Sequence, residues 1–522
     1  MTQLEESLTQ EIKELRKKNA DQDNKIRLLE EQLYQLRKKI YGRRSEKTSV
    51  LSDAAQLNLF NEAEIEAKAS ASEPQFQETE VKAHRRKKQK GHKEELISNL
   101  PHEKEICDVP EDERKCPQHP GAALVPLGEK LIRTEVRHIP AQIKVVEIWQ
   151  KSYQCPACRE EDHFTIIKGK VPQALLPQSL ASASSVAEII HQKYELGVPL
   201  HRQESLWKSM GLSMPRARMA YWLIALNRDY FSSLTGYMHQ LLLKQPVLHC
   251  DETVVQVMNE KGRKNTTKSY MWVMCSSPFS DLPPIQLFRY RPGRSGDFAR
   301  ELLAGFHGVL VRDQYSGYNK VEDITPAGCW AHLRRKFIEA SPKGADEPPE
   351  TLTGQAILQI RDIFEIERHL KEHTPDERQK ERQERARPLV DAFFAWVESH
   401  RSEVTAKCKL REAMDYALNG RKTYYTYLEN GLVSQTNAAA ENSIRPFAVG
   451  RKNWLFSSSP KGADTSASIY SLIETCKANK VAPYKYFEHI LTRLPNDLSP
   501  KTAEDFERYM PWDPAIQANC KM

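Results

Sequence analysis

The sequence predicts a multidomain α+β protein: an N-terminal coiled coil, a zinc-binding domain, a helical domain of helix-turn-helix type, and a mixed-sheet core interrupted by an all-α insertion. Three observations carry that prediction. Apolar residues recur at alternating spacings of four and three from Leu8 to Ile40. Two metal-ligand pairs, Cys116/His119 and Cys155/Cys158, stand 35 residues apart. Strand-like runs rich in Val, Ile and aromatic residues then give way to helical periodicity between 246 and 340. At 522 residues the chain is too long for one ordinary domain. With 39% hydrophobic and 28% charged residues and no apolar run of bilayer length, it reads as soluble, with no membrane partner. The start MTQLEESLTQ lacks the basic head and apolar core of a signal peptide, so a cytoplasmic location is expected. A net charge of +7 permits nucleic-acid binding without requiring it, which puts the weight on local basic patches.

Residues 1–47 carry the heptad seam Leu8, Ile12, Leu15, Asn19, Gln22, Ile26, Leu29, Leu33, Leu36 and Ile40. Such a seam needs a partner helix, and Asn19 at an a position favours a parallel, in-register, two-stranded pairing. A homodimer or higher oligomer is therefore expected, against the alternative of a helix folded back on its own chain. Residues 48–100 lose the periodicity and read as a linker, with a basic segment HRRKKQKGHK at 84–93. In the expected zinc-binding domain, 101–172, Cys116, His119, Cys155 and Cys158 complete a closed tetrahedral set for one structural Zn²⁺. The alternating run at 136–150, VRHIPAQIKVVEIWQ, predicts strands stapled by that metal. Residues 173–243 read as helical: Ser179 to Leu196 ending at Gly197, a second helix closed by Gly211, and a third with Pro215 near its first turn. Arg216 and Arg218 at the start of that third helix are candidate DNA contacts, and Arg202 is equally read as a packing residue.

The first part of the core, 244–340, begins with PVLHCDETVVQVM, one strand with Asp251 and Glu252 in the middle. A carboxylate there is costly to bury without a cation, which makes Asp251 a candidate metal ligand, although alone it reads as well as a strand-end turn residue. KSYMWVMCS and PIQLFRYRP supply two more strands, Arg294 to Ala304 a helix, HGVLVRDQYSGY a fourth strand ending at Asp313, and ITPAGCWAH a fifth leading into a basic helix. That succession is the order of a ribonuclease-H-like sheet, in which the middle of the first strand and the end of the fourth lie side by side, so Asp251 and Asp313 are expected to converge. Residues 341–432 read as the all-α insertion, 433–480 as the last core helix and 481–522 as a C-terminal segment. Glu441, at a helix start, is the third carboxylate, with an ordinary first-turn glutamate as the alternative. Carboxylates that hold Mg²⁺ beside cations that reach phosphates suit phosphodiester chemistry, with His332, Arg334, Arg335, Arg445, Arg451 and Lys452 as the phosphate contacts. His332 is as readily a packing residue beneath the sheet.

The strings HCDETVVQV, DQYSGY, GCWAHLRRKF, ENSIRPFAVGRKNWLF and IYSLIETCKAN resemble the transposase of the insertion sequence 66 family, over nearly the whole chain. The resemblance implies a DDE transposase with an RNase-H-like catalytic core. Its triad falls on Asp251, Asp313 and Glu441, which would use two Mg²⁺ (or Mn²⁺) ions to cut and join DNA at the ends of its element. It also implies element-end and target DNA as partners, small accessory proteins of the same element, and residence in the bacterial cytosol, nucleoid-associated when bound. The chain departs from the family pattern at Gln314, where glycine is frequent, and at Asn442, where arginine usually follows the acid. A non-catalytic DNA-binding regulator and a nuclease that cuts without joining are the alternative functions. Glu252 receives no role from the sequence.

Overall fold

The computed structural model describes residues 142–154, 166–168, 170–341, 348–497 and 502–522. The heptad stretch, the linker and the expected zinc ligands Cys116, His119, Cys155 and Cys158 lie outside the described residues. Of the strands expected at 136–150, the described part, 142–150, has no regular structure, and Val145, Ile148 and Trp149 are exposed. Alternation produces a strand only where an edge finds a partner. Here pairing starts later, between β1 (Ser152–Gln154) and β2 (Ile166–Lys168), which run antiparallel with Tyr153 opposite Ile167.

Among the described residues four α-helices precede the core. The first, α1 (Ala183–Ile190), starts four residues later than the sequence suggests because Ser182 and Ser185 close a capping box on its first turn. It continues as a π turn, His191–Glu195, and the chain reverses at Gly197, whose φ of +69° suits glycine. Next come α2 (Leu200–Ser209), closed by Gly211 at φ +93°, then α3 (Arg216–Leu226) behind Pro215, and α4 (Ser232–Leu242). These helices share one hydrophobic core with the sheet and the C-terminal helices: Trp222 and Phe231 belong to the same buried cluster as Phe288, Tyr470 and Phe487.

The main sheet contains β3 (Val247–Val257), β4 (Lys268–Ser276), β5 (Gln286–Arg291), β6 (Val309–Arg312) and β7 (Thr325–Gly328), in spatial order β5-β4-β3-β6-β7. The first three form an antiparallel meander, and β6 and β7 add in parallel on the other side of β3. The connection from β5 to β6 passes through α5 (Gly296–Leu302), shorter at both ends than the expected 294–304 helix, and β7 leads into α6 (Trp330–Ala340).

The insertion consists of α7 (Leu352–His369), α8 (Pro375–Glu381), α9 (Arg387–His400), α10 (Lys409–Asn419) and α11 (Arg421–Glu429). It buries its apolar faces around Trp330, Phe393, Phe394 and Tyr424, so α6 belongs as much to this cluster as to the sheet. Arg382, wholly buried, meets Glu367 at 2.7 and 2.8 Å and donates to the carbonyls of Tyr427, Asn430 and Val433. A buried guanidinium satisfied in this way fixes where the chain leaves the insertion and returns to the core.

Where one last core helix was expected there are two, α12 (Ala438–Trp454) and α13 (Pro460–Ala478), separated by the short strand β8 (Phe456–Ser457). The break is at Leu455, whose φ of +63° ends the helix. Edge strand β5 is covered by α13: the amides of Phe288 and Gln286 donate to Ser471 Oγ (2.8 Å) and Thr475 Oγ1 (3.0 Å). The chain closes with α14 (Pro483–Arg493), α15 (Ala503–Glu507) and α16 (Pro514–Asn519). Among the described residues no helix is long and apolar enough to cross a membrane.

Candidate active site

β3 holds the site because one of its edges is left open. The β4 ladder runs along it from Leu248 to Gln256. On the opposite edge, β6 pairs only as far as His249 and β8 begins only at Gln256. Between those points no described strand bonds to that edge, and helix α12 runs beside it instead. Asn437, the residue before α12, does not cap its own helix; its side chain donates to the Cys250 carbonyl (2.8 Å) and meets His249 Nδ1 (3.2 Å). At the far end of the gap Arg451 donates to Thr253 Oγ1 (2.9 Å) and to the Val254 carbonyl. Helix α12 is thus pinned across the open interval at both ends, with Asp251 in the interval and Glu441 in the first turn of the helix.

The parallel register brings the end of β6 to the middle of β3. His249 pairs with Val311, the last pair of that ladder; Asp251 lies two residues further along β3 and Asp313 follows β6 directly, so the two carboxylates leave the same end of the paired segment. Just beyond β6, Asp313 Oδ1 accepts from the Tyr315 amide (3.0 Å), a tight turn that holds the carboxylate. Buried Arg312 braces the turn through the Asp313 carbonyl (3.0 Å) and Asn319 Oδ1 (2.9 Å). The Asp251 carboxyl is pushed up to about 8, first by burial and then by Glu252, with Glu441 and Asp313 adding to the shift against the Glu252 amide bond that lowers it. Burial of the carboxylate drives that shift, and the negative charges of the neighbouring acids add to it. The atoms of Asp251, Asp313 and Glu441 do not all approach one another within 4.8 Å; among the described residues the metal-competent cluster that tight is Cys329, His332 and Glu441.

Glu441 lies in the first turn of α12, between His332 Nδ1 and Arg335 Nη2, each 3.5 Å away on one face of α6. Its Oε1 is buried without a hydrogen-bond partner, as is His332 Nδ1. Burial lowers the His332 imidazole below its ordinary value, opposed by Glu441. An orphaned carboxylate oxygen and an acid whose carboxyl is raised by burial and by neighbouring acids both fit a site built to take a divalent cation.

Glu252, unassigned by the sequence, points to the other face. Its side chain is 1% exposed, paired with Arg294, and accepts from Tyr318 OH at 2.7 Å. Arg294 lies over the Tyr315 ring at 3.7 Å and reaches Asp313 at 3.9 Å. Glu252 therefore anchors the cation that steadies the Asp313 turn. The signal available was the pair of aromatic residues in DQYSGY, both of which serve this anchor. Arg294→Ala leaves a buried carboxylate with Tyr318 alone and is expected to cost about 2 kcal/mol in urea denaturation, discounted because the arginine is partly exposed. A change under about 0.5 kcal/mol would show that Tyr318 suffices.

The expected phosphate contacts divide. Arg216 and Arg218 are exposed on α3, far along the chain from the carboxylates. Arg335, Arg445 and Lys452 are exposed near or beyond Glu441, and Arg334 and His332 are half-buried. Arg451 is committed inward to β3, so its guanidinium serves as a clamp on the strand rather than as a surface cation. Gln314, a departure from the family pattern, donates to the Tyr416 carbonyl (2.9 Å) and to Tyr424 OH (2.7 Å), tying the second aspartate to the insertion.

A family model described as the transposase IS66 family matches residues 178–465, more than half of the chain and all of the carboxylate-bearing elements. The chain belongs to the IS66 transposase family. Further models of that family match 471–512 (the IS66 C-terminal element) and 113–159 (the zinc-finger binding domain of transposase IS66), the second spanning Cys116, His119, Cys155 and Cys158. A fourth, described as transposase C of IS166 homeodomain, matches 28–104 and so includes residues that sequence composition assigned to a linker. Among similar proteins are two from Sinorhizobium fredii (strain NBRC 101917 / NGR234). Uncharacterized protein y4hP is 27% identical over 488 residues, 89% of this chain and 85% of the relative. Uncharacterized protein y4qI is 29% identical over 388 residues, 72% and 69% of the two chains.

Proposed function

We propose that this IS66-family protein is a DDE transposase whose ribonuclease-H-like core cuts DNA at the ends of an insertion element and joins those ends to target DNA. The observation that supports it best is the strand order β5-β4-β3-β6-β7, with Asp251 in the middle of β3, Asp313 directly after the adjacent parallel strand β6, and Glu441 in the first turn of α12, near enough for its charge to act on Asp251. In this reading Asp251, Asp313 and Glu441 hold Mg²⁺ or Mn²⁺. When bound, a pair of such ions supplies activation of the attacking oxygen and stabilisation of the leaving one.

The chain's own residues do the rest. Arg335 and Lys452 neutralise phosphate charge, Arg445 extends that cationic face, and Arg451 and Asn437 keep Glu441 opposite Asp251. Arg216 and Arg218 hold flanking DNA away from the chemistry. In the first displacement water attacks the phosphate at the element end, forming a P–O bond as the 3′-oxygen leaves and takes up a proton. In the second, that 3′-hydroxyl attacks a target phosphate and releases a target 3′-hydroxyl. No side chain becomes covalently attached to DNA. One structural Zn²⁺ on Cys116, His119, Cys155 and Cys158, and oligomerisation through the heptad seam, complete the assembly we propose.

Incubation with element-end duplex, target DNA and Mg²⁺ tests the proposal. Joined products are expected. Ends cut but never joined would identify a nuclease, and DNA bound but uncut a regulator; either result overturns the transposase reading.

A further inference from the structure

The turn from β7 into α6 contains a second constellation. Cys329 precedes α6, His332 lies in its first turn, and Glu441 reaches across from α12; one ligand atom of each falls within 4.8 Å of the other two. Two of these atoms, His332 Nδ1 and Glu441 Oε1, are shielded from solvent, 3.5 Å apart and without hydrogen-bond partners. The third is a thiol sulfur, 1% exposed, that accepts from the Asn437 amide at 3.1 Å. Leaving such groups unsatisfied is unfavourable, so the arrangement calls for a positively charged occupant. A proton shared between His332 and Glu441 would satisfy that pair but gives no reason for the sulfur beside them.

We infer that Cys329, His332 and Glu441 form a binding site for a transition-metal ion of the zinc class. Thiolate, imidazole and carboxylate are the donors that zinc takes, and bonds of about 2.0 to 2.3 Å in a tetrahedron set ligand atoms roughly 3.3 to 3.8 Å apart. The 3.5 Å between Nδ1 and Oε1 already falls in that range. The Asn437 amide, aimed at the sulfur, supports the charge a thiolate would carry. Three protein ligands leave a fourth position for water or an incoming oxygen. Magnesium, a hard ion, has no use for the sulfur, so the two metals are distinguished by ligand chemistry. Because Glu441 belongs to both sets, a zinc-class ion here withdraws the carboxylate that the proposed magnesium site needs.

Co²⁺ serves as the probe, added to full-length protein whose Cys116, His119, Cys155 and Cys158 set has first been loaded with Zn²⁺. Wild type is expected to take up one equivalent more than Cys329→Ser, with a sulfur-to-cobalt charge-transfer band that the variant lacks. His332→Asn, a milder change at a half-buried position, is expected to lose the same equivalent, and decides the matter if Cys329→Ser does not fold. Equal stoichiometry and identical spectra in wild type and the folded variants would overturn the site. The readout needs no DNA and no catalysis, so a negative result leaves the strand-transfer proposal standing, and failure to join DNA leaves this site standing.

Discussion

Asp251→Asn is expected to lose at least about a thousandfold in strand joining while keeping its affinity for element-end DNA. The side chain sits in the interval of β3 where no described strand pairs with one edge, close enough to Asp313 and Glu441 for their charges to act on it. Replacing one oxygen by an amide nitrogen changes volume little but removes the charge that holds a cation. Loss of roughly 4 kcal/mol of transition-state stabilisation corresponds to about a thousandfold in rate. Binding should survive because the exposed cations of α3, Arg216 and Arg218, are on a separate helix, and phosphate contacts dominate DNA affinity. Joining rate and gel-shift affinity measured on the same preparation decide it. Undiminished joining removes Asp251 from the site, and parallel loss of binding and joining would point to misfolding.

The same substitution should stabilise the metal-free protein. The Asp251 carboxyl, near 3.8 in an unfolded chain, is raised to about 8 in the fold. Because the folded value is the higher one, the stability linked to this proton is fully present below about pH 4 and is lost as pH rises through about 8, with a limiting slope of about 1.4 kcal/mol per pH unit. In chelator, wild type should therefore weaken by about 2 to 4 kcal/mol between roughly pH 4.5 and pH 8. Asp251→Asn should show a flatter profile and exceed wild type above neutrality. Added Mg²⁺ should restore wild type and leave the variant unchanged. Urea midpoints across that pH range measure it; parallel profiles for the two proteins would mean that burial beside the other acids does not raise the Asp251 carboxyl.

The parts of the core legible in the sequence are those written in local pattern. Val247, Leu248, Val254, Val255 and Val257 mark β3 by their β-branched and apolar character, and GCWAH marks the strand-to-helix turn at α6. The acids stood out because charges inside such runs are costly. What escaped reading depends on contacts distant in sequence. Asn437 carries no local signal of its role, yet it joins α12 to β3 across 187 residues. Arg451 looks like a phosphate contact in the sequence, since nothing local shows that Thr253 and Val254 offer it partners on a strand edge that no described strand occupies. The division of 433–480 into two helices turns on a positive φ at Leu455, a residue type that does not advertise it. The alternation at 142–150 pointed to a strand, but alternation records a possible face and says nothing about whether an edge is available. Glu252 needed Arg294 and Tyr318, 42 and 66 residues away, to acquire a role.

The central claim is that carboxylates from β3, the end of β6 and α12 serve one hard-metal centre. Replacing Mg²⁺ with Fe²⁺ in the presence of peroxide and ascorbate generates hydroxyl radicals that cut the backbone next to the bound ion, and peptide mapping locates the cuts. Cleavage close to Asp251, Asp313 and Glu441 together, suppressed by excess Mg²⁺, is the predicted result. Cuts confined to 329–332 and 441, sparing 251 and 313, would contradict it.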